Sequence, residues 1–385
     1  MNIDSALRLL ASRPDGEVDG RDAGGLAPLL DVLGDPQAAA PTVVVEGPAA
    51  PTVAAMTAAL LRAQGLSVGA ITSTAVERVG ERLAWDGEPV DDETLAALLT
   101  DVAAVEELAG VTATATELVT AAALRWFAEV AVDVIVLDAA AAAALVDPAV
   151  TVAPGADGKA TVTSPDGTWV ADDDLGVSVD RIAVGGRLVD LRTPGASHDD
   201  VFLPLHGSHQ AATAALAVAA AEAFLGRPQA TEVVAEALAG LRLPGRFEVV
   251  GRHPTVIVDV VDGVEAATAT AATVAEDLTL AGSVLLVVGL RAGAGDPTEV
   301  LDALDAGSAG LVVACAPEGP GAVAASDLVG VAERLGAVAE TVPEPVDAAH
   351  RALAVATEDD LVLVVGDPAV IGPVRAALRE METAS

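Results

Sequence analysis

The stretch TVVVEGPAAPTVAAMTAALLRAQGLSVGAITS, from Thr42 to Ser73, decides how the chain is read. It opens on a β-branched run, Thr42 to Glu46, suited to a strand buried on both faces of a parallel sheet. A tight loop follows, then a helix over Val53 to Gln64 stopped by Gly65, then a strand from Val68 to Thr72. Strand, loop, helix and strand form the frame in which nucleotide-binding proteins cradle phosphate, with backbone N–H groups and a lysine converging on the anion. Here the loop reads Glu46-Gly47-Pro48-Ala49-Ala50-Pro51-Thr52, with one glycine and no lysine. Pro48 and Pro51 carry no N–H, and the Glu46 carboxylate repels phosphate.

The remaining composition narrows the class. A chain of 385 residues makes two or three domains, each with its own core. Residues are 52% hydrophobic but only 2% aromatic, so the cores must be built from Ala, Val and Leu. No apolar run reaches the roughly 18 uncharged residues of a bilayer span. The first residues include Asp4 and lack a basic region, so no secretory signal is read, and a soluble cytoplasmic protein is expected. The single cysteine, Cys315, leaves no internal disulfide and no multi-cysteine metal site. A formal net charge of −37 argues against nucleic acid and anionic membrane as partners. Lys159 is the only lysine; the other 19 basic residues are arginine.

Along the chain, residues 1–40 read as a lead-in with two short helices. "DDETLAALLTDVAAVEELAG" and "TELVTAAALRWFAEVAV" are helices, the second leading into a strand that ends at Asp138. Strands alternating with helices predict a parallel α/β sheet. From Val150 to Arg192, Asp-Gly and Gly-Gly turns between short strands predict antiparallel hairpins. "HGSHQAATAALAVAAAEAFLG" begins a long Ala-rich helix, and "LRLPGRFEVVGRHP" reads as a hinge. Beyond it, "TVIVDVVDG", "SVLLVVGL", "GLVVACAP" and "DLVLVVGDP" are four buried strands of a second α/β domain.

This order of segments resembles the Mur-ligase superfamily, and within it folylpolyglutamate synthase/dihydrofolate synthase, in register from about Asp22 to Leu378. The carriers are the helix after the loop, Thr72-Ser73, "ERLAWDGEPVDDETL", the strand ending at Asp138, "LPLHGSHQAATAALA" and "LPGRFEVV". The resemblance implies a P-loop-type central α/β domain over 1–246, with the hairpin-rich segment 150–192 inside it. A C-terminal Rossmann-like α/β domain over 247–385 completes the fold.

The same resemblance implies what has been lost. Ala50 stands where the family carries its P-loop lysine, and Glu46 and Ala49 stand where it carries glycines. Thr74-Ala75 replace the Pro-His after Thr72-Ser73, and the Ala-rich run after Asp138 replaces a glycine-rich loop. The family's segment with an Asp-His motif and a carbamylated lysine has no counterpart before the hairpins, and Lys159 lies in a turn that cannot replace it. Thr213 replaces an asparagine that contacts adenine, Asp259-Val260-Val261-Asp262-Gly263-Val264 replaces Asp-Gly-Ala-His-Asn-Pro, and Arg291 to Asp296 replace a lysine-bearing loop. Vestigial cofactor positions are Thr52, Thr72, Ser73, His209, Gln210, Arg246 and Asp259, with Thr52 and Asp138 as vestigial metal candidates; His206 has no family meaning.

The expected function is a pseudoenzyme with no catalytic residues, no metal and no cofactor. Its partner is an unidentified protein, an intact synthase paralogue or a second copy of the chain. Two alternatives stand beside it: an active, divergent glutamate ligase using ATP and Mg²⁺, and a structural protein that self-associates. Arg246 either pairs with Asp138 or Asp259 or faces an open cleft.

Overall fold

The computed structural model describes residues 1–13, 24–138, 145–155 and 158–384. Two compact units emerge, the first made of Met1–Arg181, Leu188–Leu203 and Ala211–Leu241. The second is made of Ile182–Arg187, Pro204–Gln210 and Arg242–Ser385. The Ala-rich positions 139–144, where the loop after Asp138 was expected to diverge, lie outside the described residues.

In the first unit the strands are β1 (Thr42–Val45), β2 (Val68–Ile71), β3 (Leu83–Trp85), β4 (Glu88–Pro89), β5 (Val134–Leu137), β6 (Val150–Pro154), β7 (Ala160–Ser164) and β8 (Gly167–Val170). They form one sheet in the order β4-β3-β2-β5-β1-β6-β7-β8. Its middle, β2-β5-β1-β6, is parallel, and antiparallel hairpins extend both edges. The sequence reading placed β6 in an antiparallel hairpin only. It does pair that way with β7, but its other edge lies parallel to β1, with Val43 opposite Val150. A strand with alternating burial fits either partner, and the sequence carries no signal for the second one. The strands β9 (Gly176–Ala183), β10 (Gly186–Arg192) and β11 (Ser197–Leu203) make a separate three-stranded sheet.

The helices are α1 (Ile3–Ala11), α2 (Leu26–Val32), α3 (Ala50–Ala63), α4 (Asp92–Ala109), α5 (Ala115–Val130), α6 (Ser208–Leu225) and α7 (Thr231–Ala239). Caps explain the boundaries. Asp91 accepts the Thr94 N–H at the start of α4, and Gly110 ends that helix in the left-handed region. Thr114 and Glu117 form a capping box on α5. The same buried Glu117 also accepts the Gly25 and Leu26 N–H groups, tying the start of α2 to α5. Leu29, Leu99, Leu118 and Phe127 are fully buried in the core between these helices and the sheet.

In the second unit, β12 (Glu248–Arg252), β13 (Thr255–Val260), β14 (Val284–Gly289), β15 (Leu311–Ala314), β16 (Ala339–Thr341) and β17 (Leu361–Gly366) order as β12-β13-β17-β14-β15-β16. All pairs but β12–β13 are parallel. The helices α8 (Val264–Asp277), α9 (Pro297–Ala303), α10 (Ala325–Arg334), α11 (Pro345–Val355) and α12 (Pro368–Ala384) alternate with the strands. The segment read as a hinge therefore contains β12, and β16 was too short and polar to be read as a strand.

The ends of β14 and β17 approach so closely that Gly366 has no room for a side chain. A Cβ there would lie 1.9 Å from the Gly289 carbonyl oxygen, and its φ of +136° disfavours any other residue. Gly366→Ala should lower stability by about 3 kcal/mol or more, seen as a thermal midpoint depressed by several degrees.

Candidate functional site

The loop after β1 is a tight turn. Gly47 takes a φ of +101°, and a Cβ on it would press against Pro154. Of the N–H groups from Gly47 to Thr52, those of Pro48 and Pro51 do not exist, and those of Ala50 and Thr52 donate to Gly47 and Ala49 within the turn. Glu46 is exposed, while Thr52 is buried in the first turn of α3.

Thr72, Ser73 and Asp138 come together where β2 and β5 end side by side. The Asp138 carboxylate accepts the Thr72 hydroxyl at 3.0 Å, the Ser73 hydroxyl at 3.3 Å and the Ser73 N–H. Arg82, which donates to the Thr72 carbonyl, adds its charge nearby. Burial pushes the Asp138 carboxyl above its usual range, with these hydrogen bonds and Arg82 opposing the rise. Burial likewise lowers Arg82, and Asp138 opposes it. The role of Arg82 was not read from the sequence; an arginine after Glu81 gives no sign that it will face an acid 56 residues on.

In the second unit, Asp259 at the end of β13 accepts the Thr270 hydroxyl at 2.6 Å and the Phe247 N–H at 3.0 Å. Burial pushes its carboxyl up to about 6, against the pull of these bonds and of Arg246. Arg246 is half-buried and makes no ion pair among the described residues; of the two alternatives read from the sequence, the pairing with Asp259 is not formed. One residue further on, Glu248 makes a two-bond ion pair with Arg375, at 2.6 and 2.9 Å, and accepts the Gly245 N–H. Nothing in the sequence links Glu248 to Arg375, 127 residues away.

His209 and Gln210 open α6 and touch through their side chains at 2.9 Å. Desolvation, then Arg187, holds His209 below the usual imidazole range. Just before them, Gly207 donates its N–H to the buried Asp277, which also pairs with Arg187 at the start of β10. His206, without meaning in the sequence, sits 3.4 Å from Asp277 and packs on the Phe247 ring. Thr213 is buried in the first unit. Arg291, the cation of the loop after β14, is taken up by Asp367 and by the carbonyls of Glu318 and Pro320. Among the described residues no three His, Cys, Asp or Glu side chains gather to hold a metal ion, and no helix is long and apolar enough to cross a membrane.

Residues 245–367 match the family described as Mur ligase, glutamate ligase domain. The chain is 28% identical over 320 residues to the dihydrofolate synthase/folylpolyglutamate synthase of Mycobacterium tuberculosis, covering 66% of each protein. It is 33% identical over 406 residues to a probable bifunctional folylpolyglutamate synthase/dihydropteroate synthase of Haloferax volcanii, covering 90% of this chain but 47% of that protein. The chain thus spans about half the length of that relative, and the aligned length, greater than 385, means that the relative carries residues absent here. Among solved structures, Mycobacterium tuberculosis folylpolyglutamate synthase complexed with ADP superposes with a TM-score of 0.87 at 24% identity, covering 98% of both chains. Escherichia coli FolC in complex with ADP gives 0.80 at 21% identity, covering 99% of this chain and 98% of that one. The match over residues 245–367 and these likenesses support the Mur-ligase superfamily. Within it, the chain is similar to the folylpolyglutamate synthase/dihydrofolate synthase group.

Asp138→Ala should destabilise the protein by about 2–3 kcal/mol in denaturant titrations, because it leaves the Thr72 and Ser73 donors without their acceptor. Arg246→Ala, which removes no ion pair, should stay within about 0.5 kcal/mol of the parent in the same assay.

Proposed function

We propose that this protein is a folylpolyglutamate-synthase-like pseudoenzyme. In this reading it keeps the ligase fold, neither binds nor hydrolyses ATP, and serves as a binding or assembly partner of another protein. An intact synthase paralogue or a second copy of the chain is the partner that the resemblance suggests. The observation that carries the reading is the loop from Glu46 to Thr52, which has no lysine, two prolines and two amides already spent within the turn.

The chemistry explains why this loop weighs so much. ATP-dependent ligation forms an acyl phosphate, and the transferring phosphoryl group needs clustered cations and aligned donors around its oxygens. The residues present do not suit a triphosphate with its metal. The nearest acid, Glu46, opposes phosphate, and Asp138 is engaged by Thr72 and Ser73. Arg291 is likewise engaged, by Asp367 and two carbonyls.

Isothermal titration with Mg·ATP decides the point. The pseudoenzyme reading expects no binding heat at millimolar nucleotide. A micromolar Kd would overturn it in favour of an ATP-dependent ligase adding glutamate to a folate. Sedimentation of the chain alone and mixed with an intact synthase then separates self-association from a heteromeric partnership.

A further inference from the structure

The segment by which the chain enters the second unit is fastened by two carboxylates. Glu248 accepts the Gly245 N–H at 2.9 Å and is neutralised by Arg375. Asp259 accepts the Phe247 N–H, and its neighbour Val260 donates to the Gly245 carbonyl at 2.8 Å. Between these anchors Phe247 is held at a φ of +44°, a left-handed conformation that a bulky side chain adopts only under constraint. Its ring is 3% exposed and packs on His206. The two fasteners differ in one respect. Glu248 has a guanidinium bonded to it, whereas among the described residues the donors to Asp259 are neutral, the Phe247 N–H and the Thr270 hydroxyl.

We propose that Asp259 is a proton-controlled latch on the segment Pro244–Phe247, closed when its carboxyl is protonated and loosened when it ionises beneath that segment. The proposal is independent of whether the protein binds nucleotide. The segment bonds the carboxyl through the Phe247 N–H and is tied to the next residue by the Val260 N–H on the Gly245 carbonyl, so lifting it admits water to the acid. Ionisation without a bonded cation is costly in the covered state and cheap once water enters.

The charged groups facing Asp259 are Arg246, which favours ionisation, and Asp262, which opposes it. Elsewhere on the packed elements, Glu248 and Arg375 neutralise each other, Asp277 is paired with Arg187, and Asp367 with Arg291. His206 packs against the Phe247 ring.

The sign follows from linkage. Burial raises the carboxyl to about 6, so its contribution to the closed state is complete below the ordinary carboxylate value and is lost as pH rises through about 6.

Amide hydrogen exchange of the full chain, corrected for intrinsic rates, tests the latch. Protection of the Phe247 amide should fall about tenfold between pH 5 and pH 7.5. The Leu363 amide in β17 should hold steady over the same range. Asp259→Asn should abolish the pH dependence at Phe247. Should that variant not fold, Thr270→Val keeps the acid and removes one hydrogen bond to it, which should move the midpoint to higher pH; Asp262→Asn should move it lower. Protection at Phe247 that is flat or rises with pH overturns the latch. So does a midpoint unmoved by Thr270→Val, or a parallel loss at Leu363, which would mark global loosening.

Discussion

Backbone lying directly against backbone or ring is the constraint on which the two larger sheets depend. With 2% aromatic residues, the cores cannot be filled by a few large side chains. They are closed instead by bringing main chains together, as where Gly366 abuts Gly289 and where Gly69 sits under the Phe127 ring, 2.6 Å from a Cβ it does not have. The Ala-rich helix α6 follows the same logic, with Ala214, Ala215, Ala217 and Ala219 fully buried. Packing of this kind is held by dispersion between closely fitted small groups, and small gaps forfeit much of it.

That constraint specifies the sheet independently of the loop after β1. The strands β1, β2 and β5 are specified by buried Val, Ile and Leu. The turn after β1 needs only to reverse the chain into α3, and Gly47 with two prolines does so. Polar positions at the strand ends are then free to serve the fold. Asp138 secures Thr72 and Ser73, and Asp259 secures Phe247 and Thr270.

The fold was legible where local patterns decide it. The β-branched run at Thr42, the Gly110 stop of α4 and the Thr114–Glu117 box are short-range signals, and the elements they mark are present. The second partner of β6, the strand β12 inside the expected hinge, and the short β16 were not legible, because pairing across long separations leaves no local trace. The candidate site divides in the same way. Thr72, Ser73 and Asp138 were named from the resemblance, and they come together. Arg82, Arg187, Glu248, Asp277 and Arg375 were missed, since each takes its meaning from a partner in a distant segment.

Several buried or half-buried carboxylates of this protein lean on uncharged donors: Asp138 on two hydroxyls and an amide, Asp259 on one of each, Glu117 on three amides. Dissolved ions screen charges that face water and scarcely reach bonds of this kind. Salt therefore acts on the two layers of the molecule separately. Added electrolyte relieves the mutual repulsion of a surface carrying most of a −37 charge, while the acids that fasten strand ends and helix starts keep their strength. The interior is in this sense electrolyte-blind, and the response of the protein to ionic strength belongs to its skin.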